Sequence, residues 1–212
     1  MHPFLQIQMA RIKNAHELGS EKIGKLLVSY SVPAITATAA ASLYNIIDRV
    51  FIGQGVGPMA ISGLALTYPL MNITAAFGSL VGVGAGTMVS IRLGRYDRKG
   101  ATMFLGNAVM LNLVLSVSVA VTTLVFLKPI LFALGASEET YPFARDFMQV
   151  ILAGNIFTHL YLGLNNIMRA SGYPGKAMIT TLMTVAVNLL LAPLFIFVFD
   201  WGINFYKIDF RK

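Results

Sequence analysis

The sequence predicts an all-α, polytopic membrane protein, and three observations carry that expectation. The 212-residue chain is 56% hydrophobic and only 12% charged, with a mean hydropathy of +0.71. That is too apolar for a soluble domain of its size. Its charges are gathered into short clusters that separate five apolar segments. At ~1.5 Å per residue, each segment is long enough to cross a hydrocarbon core of about 30 Å. The basic residues, finally, fall mainly between alternate segments, the pattern that sets membrane topology. The net charge of +7 therefore reads as topology and not as a nucleic-acid face, so no nucleic-acid partner is expected. The absence of cysteine excludes a disulfide framework, a CxxC redox pair and a thiolate metal site, and no metal is expected.

Residues 1–25 are polar, carry Arg11, Lys13, Lys22 and Lys25, and read as a cytoplasmic lead-in. A signal peptide is the rival reading, and it is not expected because the apolar run continues beyond ATAAAS and four more apolar segments follow. The helical bundle is expected over 26–199, with spans at about 26–52, 60–90, 100–127, 142–168 and 176–199. In the first, Leu26 to Ile47 gives 22 uncharged residues before Asp48. The glycine-rich GQGVGPM then reads as a loop. The second span contains Pro69 and the run GSLVGVGAG, whose Gly78, Gly82 and Gly86 share one helix face and invite close approach by a neighbouring helix. A phosphate loop is the rival reading, but the Lys-Ser/Thr that would follow it is missing. After RLGRYDRKG, the third span runs 28 residues without charge from Gly100 to Leu127, and Lys128-Pro129 closes it. Ser137 is the expected N-cap of the helix that returns. The fourth span holds His159, read as hydrogen-bonded structure rather than a proton relay, and the fifth holds Asn188 and Pro193. Residues 200–212 form an atypical tail.

Basic residues set the orientation. Ten (Arg11, Lys13, Lys22, Lys25, Arg92, Arg95, Arg98, Lys99, Arg169 and Lys176) lie on the side of the N-terminus, against Arg49, Lys128 and Arg145 opposite. This predicts a cytoplasmic N-terminus. Lys207, Arg211 and Lys212 in the tail fit that topology poorly.

An ionisable side chain in an apolar segment is costly enough to mark a functional site, which singles out Asp48. A carboxylate facing a bundle interior takes up a proton on one side and releases it on the other. The plainer reading places it at the outer membrane surface, capping or pairing. Arg49 points about 100° away on a helix and needs a different partner. Asn45, three residues before Asp48, and Asn188 on the fifth span are candidate cavity-lining amides, able to bind a carboxyl group or a partly dehydrated cation. Asn45 serves equally well as helix-to-helix glue. Pro33 is a candidate hinge or a static kink. Asn165 and Arg169, one turn apart, read as interface and topology residues. An enzyme is the weakest reading: there is no HExxH, Ser-Lys or paired-Asp constellation, and His2, His16 and His159 are scattered.

The segments SLYNIIDRVFIG, GVGAGTMVSIRLGRYDRKGA, LNNIMRASGYPGKAM and NLLLAPLFIF, in this order, resemble the N-terminal half of a multidrug and toxic compound extrusion (MATE) transporter, over roughly Leu18 to Asn204. The resemblance implies a fold of twelve helices in two six-helix bundles related by an internal repeat. This chain would supply helices one to five, an expected six-helix lobe lacking its last helix. It further implies export of cationic or amphipathic compounds in exchange for H+ or Na+, with Asp48 as the coupling residue, no cofactor beyond the coupling ion, and a multi-pass protein of the plasma membrane. The implied partners are a small-molecule substrate, the bilayer and a missing C-terminal half. Two departures stand out. Ala192 occupies a position, four after Asn188, where the family often has an acid. The tail FYKIDFRK replaces a glycine- and alanine-rich lead into a sixth helix, which suggests a truncated or frameshifted reading frame. The alternatives are a non-transporting membrane fragment, a half-transporter that needs a second chain, or a lipid or polysaccharide flippase of the same superfamily.

Overall fold

The structure, a computed structural model, describes residues 21–55 and 58–194. These form α1 (Ile23–Gly55), α2 (Pro58–Gly94), α3 (Arg98–Val125), α4 (Leu127–Ala133), α5 (Tyr141–Ala153), α6 (Asn155–Ala170) and α7 (Pro174–Pro193), with no strand among the described residues. By length and composition α1, α2, α3 and α7 can each cross a membrane, and α5 with α6 makes a fifth span if the pair is counted as one. Most of the lead-in (1–20) and the tail beyond residue 194 lie outside the described residues.

Three local features differ from the sequence reading. The GQGVGPM segment is largely helical, since α1 extends to Gly55 and α2 starts at Pro58. The third span ends earlier than expected, at Val125, four residues before Pro129. A proline ring clashes with the carbonyl of residue i−4 and has no N–H to donate, so the helix breaks there and restarts as α4 with Pro129 in its first turn. Leu127 and Leu131, one turn apart in α4, are buried with Met148 and Leu152 of α5. That contact makes a helix of a stretch expected to be loop. The fourth span is likewise interrupted at Gly154, where a glycine without helix propensity meets the buried Asn155.

Three helix ends share one hydrogen-bond signature. At the end of α6, the Tyr173 N–H donates to Met168 O and the Gly172 N–H to Arg169 O, with Gly172 at φ +89°. This is the paired bonding of a Schellman cap, whose left-handed residue is cheapest as glycine. The end of α4 repeats it at Gly135, with φ +98°. At the end of α2 the left-handed position is instead filled by Tyr96, at φ +60°. The next residue, Asp97, caps α3: its Oδ1 accepts from the Gly100 N–H at 2.8 Å. Ser137 does act as a cap, but one turn early. Its Oγ accepts from the Thr140 N–H at 3.2 Å while Thr140 Oγ1 accepts from the Ser137 N–H at 2.9 Å, and regular helix begins only at Tyr141.

The chain divides into two units. One comprises Met1–Ala37, Ala75–Val117 and Ile156–Thr180; the other comprises Thr38–Thr74, Ser118–Asn155 and Thr181–Lys212. In the first, Val81, Val89, Ala101, Ala108 and Ile167 form the core. In the second the core is Leu70 with the α4 and α5 residues just described. The distribution of polarity is that of a protein whose solvent is lipid. Leu80, Phe157 and Leu190 are 66%, 76% and 73% exposed, whereas Asn112 and His159 are 1% and 0% exposed. Apolar side chains gain nothing by leaving hydrocarbon, so helices are held by close packing and by polar groups turned inward.

The glycine face of α2 shows that packing directly, within the first unit. A Cβ placed on Gly78 would stand 2.8 Å from His159 Cα, one on Gly82 would stand 2.7 Å from Gly163 Cα, and one on Gly86 would stand 3.0 Å from Ala170 Cβ. The i, i+4, i+8 spacing therefore meets α6 along two turns, as close approach of small residues requires. At the end of the stripe Ser90 Oγ donates to the carbonyls of Gly86 and Ala170. Gly84, off that face, has open space around it.

Candidate functional site

Asp48 lies in the last third of α1, half-buried. One turn earlier on the same face, Tyr44 is also half-buried and its hydroxyl hydrogen-bonds the Asp48 carboxylate. Arg49 turns elsewhere: its guanidinium sits 5.2 Å from the centre of the Tyr68 ring, a cation-π arrangement that gives the charge a partner of its own. The adjacent acid and base thus have separate partners, as their angular separation on a helix demands.

The other candidate residues are placed less tightly. Asn45 is exposed, while Asn188 and Ala192 on α7 are half-buried. Among the described residues no hydrogen bond joins Asp48 to either asparagine. Pro33 sits within a helix assigned continuously from Ile23 to Gly55. Tyr44 was the partner missed in the sequence, although an aromatic hydroxyl at i−4 from a carboxylate is a readable signal. Chemically, a half-buried carboxylate bound by one phenol is an acid that can exchange a proton or receive a small cation, with the hydroxyl holding its orientation.

A second polar cluster lies where α6 turns into α7. Asn165, buried, donates from Nδ2 to Ala177 O at 3.0 Å and to Thr180 Oγ1 at 2.9 Å, and its Oδ1 accepts from Arg169 Nε at 2.9 Å. The expectation that Asn165 and Arg169 serve an interface therefore finds its structural form in a brace between two helices. His159 is fully buried against the Gly78 face of α2. Asn112 is buried too, with its amide nitrogen pressed against Gly163.

Between α2 and α3, Asp97 Oδ2 pairs with Arg92 at 2.9 Å, and that arginine also lies over the Phe104 ring. The Gly100 N–H, and with it the Arg92 guanidinium, hold the Asp97 carboxyl below the usual carboxylate range against the opposing pull of desolvation. The basic cluster RLGRYDRKG thus includes an acid that organises it.

The family model for MatE matches residues 33–194, most of the chain and all of its spanning helices in part or whole. The chain belongs to the MatE family. It is 33% identical over 175 residues to the multidrug export protein MepA of Staphylococcus haemolyticus (strain JCSC1435), covering 82% of this chain and 39% of that protein. To MepA of Staphylococcus aureus (strain NCTC 8325 / PS 47) it is 32% identical over 179 residues, covering 84% and 40%. Among solved structures, MATE in the bent conformation superimposes with a TM-score of 0.80 at 25% identity, over 91% of this chain and 42% of the other. The outward-facing conformation of a multidrug resistance MATE family transporter of the MOP superfamily gives 0.76 at 28% identity, over 83% and 39%. This MatE chain therefore spans about two fifths of the length of the relatives it matches. Those relatives are membrane transporters, not enzymes.

Proposed function

We propose that this MatE chain forms the N-terminal lobe of an exporter that drives cationic or amphipathic compounds out of the cell in exchange for H+ or Na+, with Asp48 as the coupling acid. The observation that carries this reading is the half-buried carboxylate of Asp48, oriented by Tyr44 inside a membrane-spanning helix. It is the only carboxylate between Leu26 and Ile91, and Ala192 leaves α7 without the acid often found there in the family. Family membership supplies the transport class, and the multidrug relatives supply the substrate class. Asn45 and Asn188 are cavity-lining in this reading. Pro33 is the hinge in this reading, as a proline inside a span that removes a backbone hydrogen bond and permits a bend.

A pathway between two repeats needs both walls, because alternating access arises as one repeat works against the other. The chain by itself is accordingly a half-transporter or a non-transporting fragment. The test is efflux of a fluorescent lipophilic cation from cells against an imposed proton or sodium gradient. Cells expressing residues 1–212 alone should show background efflux, and cells expressing the longer protein with its second half should show gradient-dependent efflux. Ionophore-sensitive efflux by the 212-residue chain alone would refute the half-transporter reading. A longer protein that moves lipid-linked sugars but no drug would favour the flippase.

The proposed setting is the plasma membrane with the N-terminus cytoplasmic, on the strength of ten basic residues against three. The cysteine-free background makes single-cysteine labelling direct. A membrane-impermeant maleimide should label Glu138→Cys in intact cells and leave Ser20→Cys unlabelled until the membrane is opened. The reverse pattern would invert the topology.

A further inference from the structure

A cavity of about 290 Å³ lies in the first unit, lined by Tyr30, Ser31 and Ala34 of α1, Arg169 at the end of α6 and Pro174 at the start of α7. Its position is fixed by the corner that carries it. The Schellman turn at Gly172 stops α6 and points the chain into α7. Asn165 ties the two helices together and, through Oδ1, holds Arg169 by Nε. With Nε engaged inward, the two Nη nitrogens form the remaining edge of the guanidinium, and among the described residues neither has a partner. The two acids nearest in sequence to basic clusters of this unit are taken: Glu21 by Lys25 and Asp97 by Arg92.

Two further positive features adjoin the lining residue Pro174 in sequence, and Arg169 is the one charged residue of the lining itself. The 20-residue α7 begins there with Pro174 and has no acid in its first turn. The Ala177 N–H donates to Tyr173 O, just ahead of the helix, so the N–H groups of Gly175 and Lys176 lie at the positive end of the helix without helical acceptors. Lys176 adds a full charge, held over the Tyr173 ring at 4.7 Å. A planar guanidinium with a free edge, beside uncompensated helix N–H groups, is a site for a phosphate.

The surroundings say which phosphate. Ser31 is flanked on its own helix face, one turn either way, by Leu27 and Ile35, which are 65% and 66% exposed. A headgroup seated at Arg169 would thus have acyl chains running along an exposed apolar face of a membrane-spanning helix. We infer that the cavity between α1 and the α6–α7 corner binds the phosphate of an anionic glycerophospholipid, with Arg169 as its principal ligand. The inference rests on the membrane reading of these helices but not on transport, and it assigns Asn165 the role of a positioning residue.

The experiment is native mass spectrometry of the full chain released from mixed phosphatidylglycerol and phosphatidylcholine nanodiscs, with insertion verified by carbonate extraction and helicity by circular dichroism. The wild-type chain should retain phosphatidylglycerol selectively. Arg169→Gln should weaken that retention roughly tenfold, the loss of a charge-assisted bidentate contact. Arg169→Lys should fall between, keeping charge without the fork. Ala34→Phe, which fills the cavity and leaves the arginine in place, should reduce retention as Arg169→Gln does, and it serves if the latter fails to fold. Arg95→Gln, an exposed arginine outside the cavity, should have little effect. Equal losses from Arg95→Gln and Arg169→Gln would reduce the effect to general surface charge and overturn the site. Retention unchanged by both Arg169→Gln and Ala34→Phe would do the same. Displacement of the lipid by millimolar inorganic phosphate would make a soluble anion the occupant and overturn the lipid assignment. A chain that fails carbonate extraction fails the membrane reading itself, which separates the two failures.

Discussion

Asp48→Asn, introduced into a two-lobe transporter built with this lobe, is expected to abolish gradient-driven efflux while leaving membrane insertion and expression unchanged. Coupling requires the ion to bind the two access states with different affinity, since a ligand with equal affinity for both shifts nothing. Asparagine keeps the size and the hydrogen-bonding reach of the side chain but removes its charge and its titration. Asp48→Glu should retain part of the activity. Tyr44→Phe keeps the acid and frees its orientation by removing the hydroxyl that now holds it, so efflux should fall by less than in Asp48→Asn. The measurement is efflux of a fluorescent cation against an imposed proton or sodium gradient, with protein level followed in parallel. Wild-type coupled efflux by Asp48→Asn would move the coupling site out of this half of the protein. Near-silence of all three substitutions would return Asp48 to the plain role of a capping or pairing residue at the membrane surface.

A large effect of a different kind is expected at the α2–α6 crossing. A methyl group on Gly82 would meet Gly163 Cα and O at 2.7 Å. Both are backbone atoms and neither can rotate away, so Gly82→Ala must push the helices apart. Overpacking of this kind costs typically about 1–3 kcal/mol, and Gly82→Leu should prevent the pair from docking. Gly84→Ala lies in open space on the same helix, so there the change should raise stability, by about 0.8–1 kcal/mol at most, through helix propensity alone. Reversible unfolding in mixed micelles of increasing denaturing detergent checks both. Similar shifts for the two variants would mean that the glycine stripe is not a contact surface.

These two sites differ in how far they could be read from the chain. The i, i+4, i+8 spacing of Gly78, Gly82 and Gly86 announced a contact face, because a helix turns by a fixed angle and periodic small residues must align. It did not announce the partner. That α6 answers with His159, Gly163 and Ala170 depends on how two helices distant in sequence are brought together. Asp48 likewise stood out on cost alone, and its separation from Arg49 followed from helix geometry. The partners chosen, Tyr44 by one and Tyr68 by the other, emerged only in the fold. Asn45, equally close in sequence, turned out exposed.

What the sequence determined by itself is what local chemistry and the thickness of a bilayer determine: an all-α chain, the apolar runs from which its spans are built, and a resemblance to a transporter family through motifs in a consistent order. Each follows from forces acting within a few residues or from the cost of polar backbone in hydrocarbon. The tertiary structure decided what depends on non-local packing. It made a helix of 127–133 because Leu127 and Leu131 have α5 to lie against, and it turned Asn165 and Arg169 from two polar residues at a helix end into a brace whose arginine lines a cavity. Periodicity fixes which residues share a face; only the neighbouring helix fixes what that face meets, because between helices in lipid the energy lies in specific contacts and not in hydrophobicity.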